Sequence, residues 1–164
     1  MKYLRFLWIT MLIMFLLGGC SQSSQPQHTT TSNPKSTDKI LDEMEGPPNN
    51  GHTLERHVGK TDEQLRQRLQ QESVSAASTY YDKASAVKAV NEVLTKHDKE
   101  IQQWLKDGKQ DRLVLNTHHT FSTGKSVLRK DMKVHDNVMD TVTVLARSST
   151  NSRGYSLLTS YPNL

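Results

Sequence analysis

From Asp82 to His97 the apolar residues Ala84, Val87, Val90, Val93 and Leu94 recur at three- and four-residue intervals, which predicts an amphipathic helix with that face turned inward. A shorter helix follows on Ile101, Trp104 and Leu105 and stops at Asp107-Gly108, where a glycine suits the left-handed position after a helix. Ahead of both, Thr61-Asp62-Glu63-Gln64 has the form of a capping box, and Leu65 and Leu69 fall on one face of the helix that it opens. His52 to Val58 is a further short helix, closed by Gly59. Ser73 to Tyr81 reads as a polar and aromatic connection with a brief strand at Thr79-Tyr80-Tyr81.

Beyond Gln110 the period changes from about 3.6 to about 2. Leu113 and Leu115 alternate, Ser126 to Arg129 is a weaker strand, Val138 to Arg147 is a β-branched run around Val142 and Val144, and Tyr155 to Tyr161 is the last strand. Gly124 and Asn151-Ser152-Arg153-Gly154 supply turns between them. Helices first and strands afterward predict an α+β fold, with N-terminal helices packed on a C-terminal antiparallel sheet. If the last strand alternates strictly, Tyr155, Leu157, Thr159 and Tyr161 share one face, while Ser156, Leu158 and Ser160 share the other. Thr159 and Tyr161 then present two hydroxyls side by side; a solvated edge strand would look the same.

The amino-terminal stretch follows neither period. Lys2 and Arg5 precede an apolar run from Phe6 to Leu17, which ends in Leu17-Gly18-Gly19-Cys20. The run has signal-peptide length and is short for a spanning helix. It resembles the lipobox of bacterial lipoproteins, which implies a signal peptide over 1–19, cleavage before Cys20 and lipidation of Cys20; the alternative is an uncleaved membrane anchor. From Ser21 to Asn50 the chain turns to Ser, Thr, Gln, Asn and Pro, and only Ile40-Leu41-Asp42-Glu43-Met44 offers a helical turn. Residues 20–50 therefore read as a lipidated cysteine and disordered tether. Pro47-Pro48-Asn49-Asn50-Gly51 marks the boundary of a domain over 51–164.

Cys20 is the single cysteine among 164 residues, so no disulfide framework is available and stability must come from a packed core. The formal charge of +4 is halved if Lys2 and Arg5 leave with a signal peptide. That is too weak a field to argue nucleic-acid binding, which has to rest on a local site.

The densest local chemistry lies at Gly51-His52-Thr53-Leu54-Glu55-Arg56-His57-Val58-Gly59-Lys60-Thr61. An imidazole titrates near ~6.5 and can act as base or acid at neutral pH. A guanidinium such as Arg68 can hold two phosphate oxygens in a fork. On one unbroken helix Arg68 would lie on nearly the same side as His57, but Gly59 interrupts that helix, so tertiary packing has to join them. His52 and Lys60 are candidate substrate-binding groups, His52 also a second acid-base group; a helix-start histidine and a solvated lysine are the plain alternatives. His118 and His119 are adjacent in a strand and point to opposite faces. His97 and His135 fit exposed surface, and no His/Cys/Asp spacing makes a zinc site.

Taken together, Gly51 to Thr61, Leu65, Arg68-Leu69, Ser78-Thr79-Tyr80, Ala89-Val90, Ile101, Trp104-Leu105, Gly154-Tyr155 and Leu158-Thr159-Ser160-Tyr161-Pro162 resemble the RNase A-like toxin domain found at the C-terminal tips of bacterial contact-dependent inhibition and other polymorphic toxins. The resemblance implies a disulfide-free RNase A-like fold and a metal-independent ribonuclease without cofactors, with His57, Arg68, Thr159 and Tyr161 as its catalytic residues. It also implies an RNA substrate, a cognate immunity protein and a monomer. The lipobox sets the expected location outside the cytoplasm, at the outer membrane or the outer leaflet, with release from the tether. The competing expectation is a lipoprotein binding module that keeps the fold without cutting RNA. Expression in the cytoplasm separates the two, since a ribonuclease stops growth.

Overall fold

The computed structural model describes residues 39–164; the expected signal peptide, Cys20 and the tether up to residue 38 lie outside the described residues. The order is α1 (Ile40–Met44), α2 (Thr53–His57), α3 (Asp62–Gln71), β1 (Ala76–Tyr80), α4 (Lys83–Lys96), α5 (Asp98–Asp107), β2 (Arg112–His118), β3 (Gly124–Leu128), β4 (Val134–Val138), β5 (Asp140–Arg147) and β6 (Tyr155–Asn163). The fold is α+β, as the change of period predicts. Its strands form two antiparallel sheets, β1-β3-β4 and β2-β5-β6, where one was expected. None of the described helices is long and apolar enough to cross a membrane.

Local sequence explains the helix ends. Thr61 Oγ1 accepts from Gln64 N–H at 3.2 Å while Gln64 Oε1 accepts from Thr61 N–H at 2.9 Å, a reciprocal capping box. Asp82 caps α4 by accepting from Ser85 N–H at 2.7 Å. Gly59 and Gly108 take φ of 65° and 66°, the left-handed conformation in which a helix stops. The buried face of α4 is Ala86, Ala89, Val90 and Val93. Ala84, expected inward, is exposed, and two other alanines provide the short side chains at the packed face.

Two cores result. Leu65 and Leu69 of α3 pack with Ala77 and Val127 of the first sheet. The larger cluster joins α4 and α5 to Leu115, Leu145 and Leu157 of the second sheet, and it includes Ile40, Leu41 and Met44. Those three residues are each 1% exposed, so the reading of residues 20–50 as a tether is corrected at Ile40, where the packed body begins. The segment also completes α2: the Glu45 carboxylate accepts from Leu54 N–H at 2.9 Å and Glu55 N–H at 2.7 Å, satisfying donors that a helix start leaves open. Gly51 then passes between the Met44 and Leu157 carbonyls too closely for a Cβ.

The last strand departs from strict alternation. Thr159 pairs with Val144 and Leu157 with Leu145, so a bulge at Leu158 breaks the register. Leu157 enters the core while Thr159 and Tyr161 keep the opposite face, so the expected grouping of Leu157 with Thr159 and Tyr161 is corrected. Ser160, beneath them, ties the sheets together through Tyr80 Oη at 2.6 Å and Thr143 Oγ1 at 2.7 Å.

The remaining histidines are partly as expected. His118 is exposed beside Asp140 at 2.9 Å, and His119 is fully buried with Nε2 2.9 Å from Thr141 Oγ1. His97 and His135, expected on open surface, are half-buried. His97 lies between Glu100 Oε2 at 2.8 Å and Thr117 Oγ1 at 3.0 Å.

Candidate active site

The pairing that places the site is between α2 and β6. His52 N–H donates to the carbonyl of the bulged Leu158 at 2.9 Å, and Ser160 N–H donates to Thr53 Oγ1 at 2.9 Å. The strand that carries Thr159 and Tyr161 thus fixes the start of the helix that carries His57. On the other side, Gly59 N–H donates to the Tyr80 carbonyl at 3.1 Å, docking the end of α2 onto β1.

These contacts leave a cleft of about 480 Å³ whose lining includes His52, His57, Arg68, Thr159 and Tyr161. The four side chains expected to share catalysis, drawn from positions 57 to 161 of the chain, converge there. Lys60 does not line it: its backbone N–H donates to Thr79 Oγ1 at 3.0 Å, and its side chain borders grooves outside the cleft. Gly59 turns the chain between the two positions, which a linear motif does not show. Ser78, Ser126 and Asn163 also line the cleft; Ser78 stood in the resemblance without a role, and Ser126 and Asn163 carried no motif.

His57 is 6% exposed, and its Nδ1 donates to the Ser78 carbonyl at 3.1 Å. That bond assigns the proton to Nδ1 and leaves the Nε2 lone pair as the basic site. Tyr161 stacks on the imidazole, ring centroids 5.0 Å apart and planes at 26°, and the His52 ring lies 6.4 Å away. Burial lowers the His57 pKa from 6.5 to about 3; the Ser78 bond opposes this, and the charges of Arg68, His52 and Arg56 reinforce it.

Arg68 is held from behind. Its Nε donates to Glu72 Oε2 at 3.1 Å while Arg56 Nη2 donates to Glu72 Oε1 at 2.5 Å. Burial pushes the Glu72 carboxyl up, but the two guanidiniums outweigh it and hold the group below the usual range. Glu72 was missed, although a carboxylate four residues after an arginine on a helix is a readable pair. Arg68 Nη1 and Thr159 Oγ1 are both buried without a hydrogen-bond partner. Buried polar groups are rarely left so; a guanidinium N–H and a hydroxyl in one cleft suit an oxyanion.

The buried neutral imidazole has a consequence for stability. The folded pKa of His57 lies below the unfolded value of 6.5, so as pH falls through that value the unfolded chain takes up a proton that the folded chain does not. The His57 contribution is complete above about pH 6.5 and is eroded toward pH 3. His119 acts in the same direction, since burial lowers its pKa against the opposing Glu92 charge. Urea unfolding between pH 7 and 4 is expected to show stability falling with pH, and His57→Asn to remove up to about 1.4 kcal/mol per pH unit of that slope. Identical slopes in the two proteins would place a charged imidazole in the native state.

A disulfide-free α+β body with a buried imidazole, a guanidinium and two hydroxyls lining one cleft has the form of an RNase A-like domain. The model of the bacterial CdiA-CT RNAse A domain matches residues 51–162, and the chain belongs to that family of contact-dependent inhibition toxin domains. A crystal structure of a CdiA-CT/CdiI complex from Y. kristensenii 33638 is similar to it, with 27% identity over 70% of this chain and 100% of the other and a TM-score of 0.65. No curated protein matches the chain.

Proposed function

We propose that the protein is a metal-independent ribonuclease that cleaves single-stranded RNA by attack of the 2′-hydroxyl on the adjacent phosphate, and that it acts as an exported antibacterial toxin. The observation that carries this reading is the meeting of His57, Arg68, Thr159 and Tyr161 in one cleft, with a guanidinium N–H and a hydroxyl there lacking partners. His57 Nε2 removes the 2′-hydroxyl proton. Arg68 Nη1 meets the phosphorane charge, which needs no reorganisation because Glu72 already holds the side chain. Thr159 positions a phosphate oxygen, and Tyr161 keeps the base in place by stacking.

Attachment through Cys20, delivery outside the cytoplasm and later release from the tether belong to the same proposal, supported by the lipobox-like Leu17-Gly18-Gly19-Cys20. A small cognate immunity protein covering the cleft is also proposed; the related CdiA-CT was solved as a complex with CdiI.

The purified protein is expected to degrade single-stranded RNA in excess EDTA, releasing fragments with 2′,3′-cyclic phosphate ends, and cytoplasmic expression is expected to arrest growth. Cleavage that appears only with added divalent ions would reject the mechanism. Intact RNA together with unimpaired growth would favour the binding module.

A further inference from the structure

Cleavage through the 2′-hydroxyl needs a second proton transfer, to the departing 5′-oxygen, and the ribonuclease reading leaves that acid unassigned. We propose that His52 supplies it. The proposal rests on the ribonuclease reading and adds a catalytic role for one more side chain.

Attack is in line, so the entering and leaving oxygens lie on opposite sides of phosphorus, and base and acid must stand across the phosphate from each other. Each reaches its oxygen over about 2.6–3.2 Å. The two imidazoles line one cleft, with ring centroids 6.4 Å apart and planes at 40°, so a single phosphate seated in the cleft can lie against both. Tyr161, the other candidate donor, stacks on His57 at 5.0 Å, which puts its ring beside the base instead of across from it. Arg68 is never neutral and cannot deliver a proton.

The backbone of His52 is unusually well fixed for a residue at a helix start. Its N–H is bonded to Leu158 at the bulge, and its carbonyl accepts from Arg56 N–H at 3.1 Å. Gly51 before it is wedged between two carbonyls, and Thr53 after it is 1% exposed. The ring itself is half-buried in the cleft wall. A group that gains its proton from water and passes it inward is served by such a position.

The step balances. The O2′–P bond forms as His57 Nε2 takes the 2′ proton; the P–O5′ bond breaks as the His52 imidazolium gives its proton to O5′. The products are a 2′,3′-cyclic phosphate and a 5′-hydroxyl, with His57 charged and His52 neutral. Exchange with water restores both.

The test compares two substrates, RNA and a uridine 3′-(4-nitrophenyl) phosphate, whose nitrophenolate departs without protonation. His52→Ala is expected to slow RNA cleavage by roughly 10²–10⁴-fold and aryl ester cleavage less than tenfold, and the alkaline limb of the RNA pH–rate profile is expected to vanish. His57→Ala should slow both substrates. Equal losses on both substrates for His52→Ala, or no loss on RNA, would overturn the proposal; so would a loss confined to RNA in Tyr161→Phe in place of His52→Ala. Wild-type protein inert toward both substrates would instead overturn the ribonuclease reading itself.

Discussion

Replacing His57 with alanine is expected to lower RNA cleavage by roughly 10²–10⁴-fold, the usual contribution of a positioned general base. The bond from Nδ1 to the Ser78 carbonyl makes this larger than the loss of a nearby polar group. It fixes the tautomer, so Nε2 is the one basic atom the ring offers. The same residue sets the acid limb of the rate profile. A base works only unprotonated, and burial with nearby positive charge brings the His57 pKa to about 3, so kcat/KM should hold well below pH 6.5 and fall only as pH approaches the lower value. In kcat the limb should lie higher, because a bound phosphate anion favours the imidazolium. Initial rates on a short RNA from pH 3.5 to 8 give both limbs, and circular dichroism shows which losses are unfolding. An acid limb of kcat/KM at 6.5 would mean that the imidazole is solvated in the free protein. Retention of full activity by His57→Ala would remove it from the mechanism.

Much of this site could be read from the chain because its local signals are self-contained. Thr61 and Gln64 cap α3 by contacts within four residues, and Gly59 and Gly108 stop helices by conformations their own lack of a Cβ permits. The quartet His57, Arg68, Thr159 and Tyr161 was legible through family resemblance, since nothing in spacing alone brings residues of α2, α3 and β6 together. What stayed hidden is non-local. The bulge at Leu158 arises from pairing with β5, and a strand read alone shows only the alternation that the bulge interrupts. The division into two sheets depends on which strands find each other. Lys60 looked like part of the motif because it is adjacent in sequence, and Gly59 carries it out of the cleft. Ser78 acts through its carbonyl, a group every residue has.

The boundary of the folded body is where composition misled most, and it yields the largest expected effect on stability. Residues 21–50 are mostly polar, so the sequence shows Ile40, Leu41 and Met44 only as a helical turn within a tether. In the fold they form the inner face of α1, which packs against α2 and β6. Burying a side chain of this size contributes about 1.5–3 kcal/mol, so the three together are comparable to the 5–15 kcal/mol that a whole domain has to spare. A chain beginning at Gly51 is therefore expected to be unfolded or to melt far below one beginning at Lys39. The single change Leu41→Ala is expected to cost about 2–5 kcal/mol in urea unfolding. Equal midpoints for the two chains would restore the tether reading as far as Asn50. The proposed chemistry should suffer along with stability: Glu45 caps α2 and the Met44 carbonyl confines Gly51, so α1 braces the helix that holds both imidazoles in the cleft. Rates measured at low temperature on the fraction of truncated protein that still folds should fall through loss of that bracing, and a Glu45→Ala variant of the longer chain should show part of the same loss with its core intact.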